Sequence, residues 1–414
     1  MVKAGALYLV IVVTLVVAVL CSSLIVAAYL YKSQYQQKFR YDVLSNNLLS
    51  AENLVLSVDS IDKKLSLFNS VNDSVIVQRY HWGLFDIGIA RSFINQDTLT
   101  KVFSIAHSID SAKWCAIYLI DEDRPVSVSG QTTIKGDAYL PKAGIKEAYV
   151  DNSAYLGDKR LVIGRKLTSE KQLPTLNSAI LAQIKSYFKQ VAANKPTISI
   201  PDSASNLFLQ NLKTYCFHKK AYQINSAIKG HVLIQSDTTI RISREADIRD
   251  AIICAPTVIV EDGFTGNYQI FATDSVHIGK NCKLTYPSVI GALQEQRKDV
   301  KSPARIIIGE NTRIDGTLFT FQDGKSQSPP VIELKKNTVI QGQVYASGIL
   351  NYQKDVTING SVYVSRLLYE TTYTRYENYL INIHINTPAL SRYYNSSGLL
   401  PAASPKQKVL QWLN

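Results

Sequence analysis

IGENTRIDGTLFTF, from Ile308 to Phe321, is one copy of a pattern that returns as LKKNTVIQGQVYAS from Leu334 to Ser347. Each copy sets an aliphatic residue six positions before an Ile. A polar residue and a glycine follow the Ile, and the copy continues as Gly-x-aliphatic-aromatic. VSGQTTIKGDAYLP, from Val128 to Pro141, has the same form, and NGSVYVS, from Asn359 to Ser365, repeats its second half. IGKNCKL at Ile278 to Leu284 and ISREADI at Ile242 to Ile248 keep the six-residue step without the glycine. Alternating apolar and polar residues make short strands with one face turned inward. Gly, Asn and Asp between them permit the positive φ of a tight corner.

The equivalent aliphatic positions are Leu284, Ile314, Ile340 and Ile358, so the interval shrinks from about 30 to about 18 residues, room for one coil each. Stacked coils bury a continuous apolar core, and each coil touches only its neighbours. The expected fold is mainly β: an N-terminal transmembrane and stalk helix, then a right-handed parallel β-helix (a β-solenoid) with a helical insertion. The right-handed form is expected because the hexads never run three in succession. A β-sandwich with look-alike hairpins is the alternative.

Outward from the repeat, the chain divides by composition. From Ala4 to Tyr31 no charged residue occurs, and a helix of roughly 20 residues already spans a bilayer core. Tyr8, Tyr29 and Tyr31 lie near the ends of this stretch, at interfacial depth. Residues 1–31 are therefore expected to be an uncleaved transmembrane helix in contact with membrane lipid through residues 4–31. From Tyr31 to Phe68 there is no Gly or Pro, and Tyr35, Phe39, Leu44, Leu48, Val55, Val58, Ile61 and Leu65 recur near helical spacing. Residues 32–70 read as a stalk helix. Residues 71–142 read as a mixed α/β region holding the first coil, and 143–230 as an insertion. The insertion carries an amphipathic helix with Ile180, Leu181, Ile184, Tyr187, Phe188 and Val191 on one side. The repeat then runs through 231–366, and 367–414 read as a Tyr-rich cap in which Tyr373, Tyr376, Tyr379 and Tyr393 pack over a solenoid edge, with an aromatic binding face as the alternative.

Formal charge is +12, but Lys and Arg are scattered rather than clustered among aromatics, so no nucleic-acid partner is expected. Cys21 lies in the apolar stretch; Cys115, Cys216, Cys254 and Cys282 are widely spaced, with no C-x-x-C and no His at zinc spacing. They read as small buried residues, with one disulfide open if the domain lies outside the cytoplasm. The six His (His81, His107, His218, His231, His277 and His384) sit in no metalloprotease motif, and no G-x-S-x-G or Walker loop occurs. His277 alone occupies a strand position where a hexapeptide acyltransferase places an imidazole, and it reads as a surface residue. Asp247, Asp250, Glu261 and Asp262 form no pair suited to glycoside hydrolysis. No residue is assigned a catalytic, cofactor-binding or metal-ligating role, no cofactor is expected, and the chain reads as a non-enzyme.

From Ile308 to Tyr363 the run resembles the bactofilins, bacterial polymer-forming scaffold proteins. The resemblance implies small right-handed β-helices assembling end to end beside a membrane. The apolar helix leading into an amphipathic one resembles the N-terminus of pilin-like proteins, although the acidic residue five places after the glycine is absent: Gly5 is followed by AlaLeuTyrLeuVal from Ala6 to Val10. Together these imply a single-pass protein of a bacterial cell membrane that scaffolds or joins an envelope apparatus such as a pilus-like one. Protein partners or self-association through the solenoid ends would follow. A signal-anchor layout puts the main domain outside the cytoplasm, with a cytoplasmic placement as the alternative. The competing function is an envelope polysaccharide-binding module or a carbohydrate-active β-helix enzyme.

Overall fold

The computed structural model describes residues 4–58, 61–66, 73–150, 152–191, 197, 199–294, 302–324, 328–371 and 373–413. Two compact units emerge: residues 1–80 with 88–102, and residues 81–87 with 103–414.

The first unit is built on one helix, α1 (Ala4–Ser57). Its apolar beginning has no partner: every residue from Gly5 to Phe39 is exposed. Such a helix is long and apolar enough to cross a membrane. Further along, Leu44, Leu48, Ala51 and Val55 are buried, a stripe of three- and four-residue steps. Antiparallel strands complete the unit, with Asp62–Leu65 pairing along Asp73–Trp82 in the register Lys63↔Val77. Three side chains tie helix to strands. Lys101 Nζ meets Glu52 Oε2 at 3.0 Å and Arg40 Nε meets Asp97 Oδ2 at 2.8 Å. Arg79, buried, donates to the carbonyls of Val55 and Val58 at 3.3 and 2.7 Å. A cation there satisfies the unpaired carbonyls of the last turn.

The stalk helix expected over 32–70 therefore stops at Ser57, and Asp62–Leu65 is a strand; residues 67–70 lie outside the described residues. Ser57 supplies one reason: its hydroxyl donates to the Leu54 carbonyl at 2.8 Å, and a short polar side chain there competes for the helix backbone. The mixed α/β character expected of 71–142 also fails: from 73 to 142 no helix occurs among the described residues.

The second unit is dominated by a closed sheet whose strands pair in parallel, save the antiparallel Arg375–Glu377, with a separate three-stranded sheet beside it. The repeat's aliphatic position forms one inward column, Leu284↔Ile314↔Ile340↔Ile358↔Ile385↔Ile134, all essentially buried. One corner is held by Asn281, Asn311 and Asn337 at φ +55°, +55° and +59°, a conformation that Asn tolerates. Asn337 Nδ2 donates to Asn311 Oδ1 at 2.9 Å, so the corner is also a side-chain ladder. The other corner stacks Gly316, Gly342 and Gly360. A Cβ on Gly342 would lie 2.0 Å from the Gly316 carbonyl oxygen, so no other residue fits.

Tier order differs from chain order. Strands from Ser203–Asn206 to Val356–Glu370 stack in sequence, after which Ile117–Leu119 and Ile383–Asn386 together occupy the next tier. Thr133–Lys135 and Ala138–Leu140 follow, and then Lys166–Thr168. The region expected as an insertion, 143–230, is thus wall at both ends of the stack, joined by α2 (Ser178–Gln190). The Tyr-rich segment from 367 is likewise not a terminal cap: Tyr379–Ile381 pairs with Val126–Ser129, beneath further tiers. Between 117 and 168 only Val128–Pro141 carries the full repeat, and the place of these short strands is fixed by pairing with a distant part of the chain.

One wall is apolar on both faces, which is why it reads as continuous runs such as AIICA and YQIFA rather than alternation. Ile270, Leu318, Val344 and Val362 point inward, while Phe271, Phe319, Tyr345, Tyr363, Tyr118 and Tyr139 share an outward column broken only by Gly291. Phe271 and Phe319 meet across Gly291 at 6.3 Å between ring centres. Tyr118 stacks on Tyr363 at 6.0 Å and on Tyr139 at 5.2 Å. Helix α2 and its approach cover this column. Tyr187 stacks on Phe271 at 6.5 Å, Gln235 Nε2 donates to the Tyr187 carbonyl at 2.5 Å, and Tyr345 donates to the Pro174 carbonyl at 3.0 Å.

Candidate functional site

The polar residues singled out in the sequence are structural in their surroundings. Asp262 Oδ1 accepts from the Lys280 backbone at 2.7 Å and Glu261 Oε2 from that of Arg244 at 3.1 Å, so both staple corners. Asp247 lies between Lys229 and Arg249 at 2.9 and 3.0 Å, and the hydrogen bonds from these cations hold its carboxyl below the usual range. Asp250 accepts from Gln411 at 2.6 Å and Asn267 at 3.3 Å; burial pushes its carboxyl up. His277 points outward in a column with Ile259 and Ile307, its imidazole pushed down by burial. Tyr369, Tyr376 and Tyr379 pack ring to ring at 6.3 and 5.4 Å, whereas Tyr373 and Tyr393 stand in the open.

All five Cys are free; Cys115, Cys216, Cys254 and Cys282 are buried, Cys216 and Cys254 within strands and Cys115 and Cys282 just before them. Among the described residues no three His, Cys, Asp or Glu gather as metal ligands. Cys216 does line up with a base and an acid: its sulfur is 3.4 Å from His218 Nε2, and His218 Nδ1 is 3.1 Å from Asp237 Oδ2. The order is that of a nucleophile, base and orienting acid. Burial instead pushes the Cys216 thiol up, and its sulfur bonds to the Val191 carbonyl at 3.6 Å. A neutral thiol covered by the end of α2 is a weak nucleophile.

A different surface has the features of a binding site. Inward Ile314 and Ile340 turn their neighbours outward, so Arg313, Asp315 and Gln341 form a polar floor with Asp315 and Gln341 on adjacent tiers. Arg313 Nε donates to Asp315 Oδ1 at 2.9 Å. Gln341 makes no side-chain hydrogen bond among the described residues. The loop carrying Tyr393 and Tyr394 forms one side. It is pinned where Tyr286 donates to the Asn395 carbonyl at 2.8 Å and accepts from the Asn395 backbone at 3.2 Å. The cleft so enclosed measures about 380 Å³, and Tyr393, 73% exposed, lines it. Arg313 and Tyr393 are 80 positions apart in sequence, and only pairing between distant segments brings them together; the one signal of this site in the sequence is the Tyr-rich segment that includes Tyr393.

Compared with known proteins, the chain matches no family model, no curated protein and no solved structure.

Proposed function

We propose that this is a membrane-anchored, non-enzymatic structural or assembly protein of a bacterial cell envelope, with a right-handed parallel β-helix as its main domain. The observation that carries the reading is helix α1. Its first part is free of charge from Gly5 to Tyr31 and exposed as far as Phe39, while Leu44, Leu48, Ala51 and Val55 of the same helix are built into a folded unit. A helix that is free and apolar at one end and structural at the other attaches a rigid body to a bilayer. The pilin-like and bactofilin-like resemblances belong to the same reading.

Contact with protein partners, or with a second copy, follows from the ends of the stack. Leu207, Leu209 and Leu212 are 40–44% exposed beside the first tier, and Tyr149 and Leu156 about 70% beside the last. The carboxylates named above are each held by cations, amides or backbone groups, which is poor material for glycoside hydrolysis.

Alkaline carbonate extraction of cells expressing the chain tests the anchor, which is expected to stay in the membrane pellet; release into the supernatant would overturn it. In the same cells Lys142→Cys, on an exposed residue, reports the side of the membrane. Labelling of intact cells by an impermeant maleimide is expected and places the domain outside; protection until the inner membrane is opened would make it a cytoplasmic scaffold.

A further inference from the structure

The cleft over Arg313, Asp315 and Gln341 has a composition that points to one kind of ligand. We propose that it binds a neutral pyranose unit of an oligo- or polysaccharide, with Tyr393 as the stacking platform and the three planar side chains as hydroxyl partners.

The C–H edges of a pyranose carry slight positive charge and are drawn to the negative face of an aromatic ring. Tyr393 offers such a ring: the Arg392 guanidinium lies over one face, 4.9 Å from its centre, and donates to its hydroxyl at 2.8 Å. The exposed side chain is thereby positioned, and the opposite face is the one for a sugar. Vicinal sugar hydroxyls each donate and accept, and planar carboxylate, amide and guanidinium groups match that pair in two-point contacts. All three groups stand on the floor. Asp315 spends one acceptor on Arg313 Nε, the terminal nitrogens of Arg313 make no bond among the described residues, and Gln341 is uncommitted. Because Arg313 and Asp315 neutralise one another, the floor favours an uncharged ligand over an anionic sugar. A volume of about 380 Å³ lies within the usual range for small-ligand sites. The floor is rigid, since its residues alternate with the fully buried Ile314 and Ile340.

This inference goes beyond anchoring, and its test does not depend on where the domain lies. The full chain, purified in a detergent without a sugar headgroup, is titrated calorimetrically with maltohexaose, cellohexaose and chitohexaose. At least one is expected to bind. Tyr393→Ala should weaken that binding roughly tenfold, the worth of one aromatic contact. Gln341→Ala should weaken it several-fold, and Tyr393→Phe should keep it. Thermal melting guards against misfolding, and an exposed Tyr393 predicts an unchanged midpoint. The proposal is overturned if none of the three sugars binds, or if Tyr393→Ala binds as tightly as the parent.

Discussion

Gly342 has φ +148° and an oxygen 2.0 Å from where its Cβ would be. Gly342→Ala should therefore cost about 2–4 kcal/mol, and a urea titration of the full chain would read it as a lower midpoint at constant slope. Glycines of this kind were legible in the sequence, as were the Asn corners, because each repeats at a fixed offset from an Ile. Arg79 was not, since capping a helix end from a distant strand leaves no periodic trace. Buried acidic groups add a pH dependence. Burial pushes the Cys115 thiol from near 9 up to about 11 and the Tyr187 phenol from 10 up to about 12. Folded, each keeps its proton while the unfolded chain loses it, so stability is full below pH 9 and falls as pH rises towards 11. Cys115 alone should contribute a loss of about 2 kcal/mol, seen by comparing urea midpoints at pH 8 and pH 11.

Helix α2 was foreseen from its apolar side, and Leu181, Ile184 and Tyr187 are indeed buried. Its destination was not foreseen, because an amphipathic pattern says that one face is covered without saying by what. It lies over an outward aromatic column whose members come from both halves of the chain. Its first turn is held by Asn177, whose Oδ1 accepts from the Ala179 backbone at 3.0 Å. Asn177→Ala should destabilise by about 1 kcal/mol. Amide hydrogen exchange should show faster exchange over 178–184 and little change in the wall, because end fraying is local. For α1 the pattern misjudged the end rather than the existence: apolar spacing persists past Ser57, yet Leu65 belongs to a strand, where spacing alone cannot separate the two states.

At the scale of the whole molecule, the repeat made the stacking legible and concealed its order. The column through Ile314, Ile340 and Ile358 was visible in the sequence, but its continuation through Ile385 to Ile134 was not, since Ile385 lacks the glycine motif. The same return of the chain assembles the cleft beneath Tyr393. Deleting residues 371–414 removes the tier between Val356–Glu370 and Thr133–Lys135. Limited proteolysis of that truncation should cut within 117–168, while 231–366 stays resistant.

That interleaving also imposes a timetable on synthesis. Gln131 bonds to Asn382, 251 residues later, so the early tiers have no seat until nearly the whole chain exists. At about 5–20 residues per second a ribosome leaves them waiting roughly 10–50 s, with bare strand edges and apolar side chains uncovered. A cell making this protein must shelter a nascent segment for that long, and holdase chaperones would be the natural companions of its birth rather than of its working life.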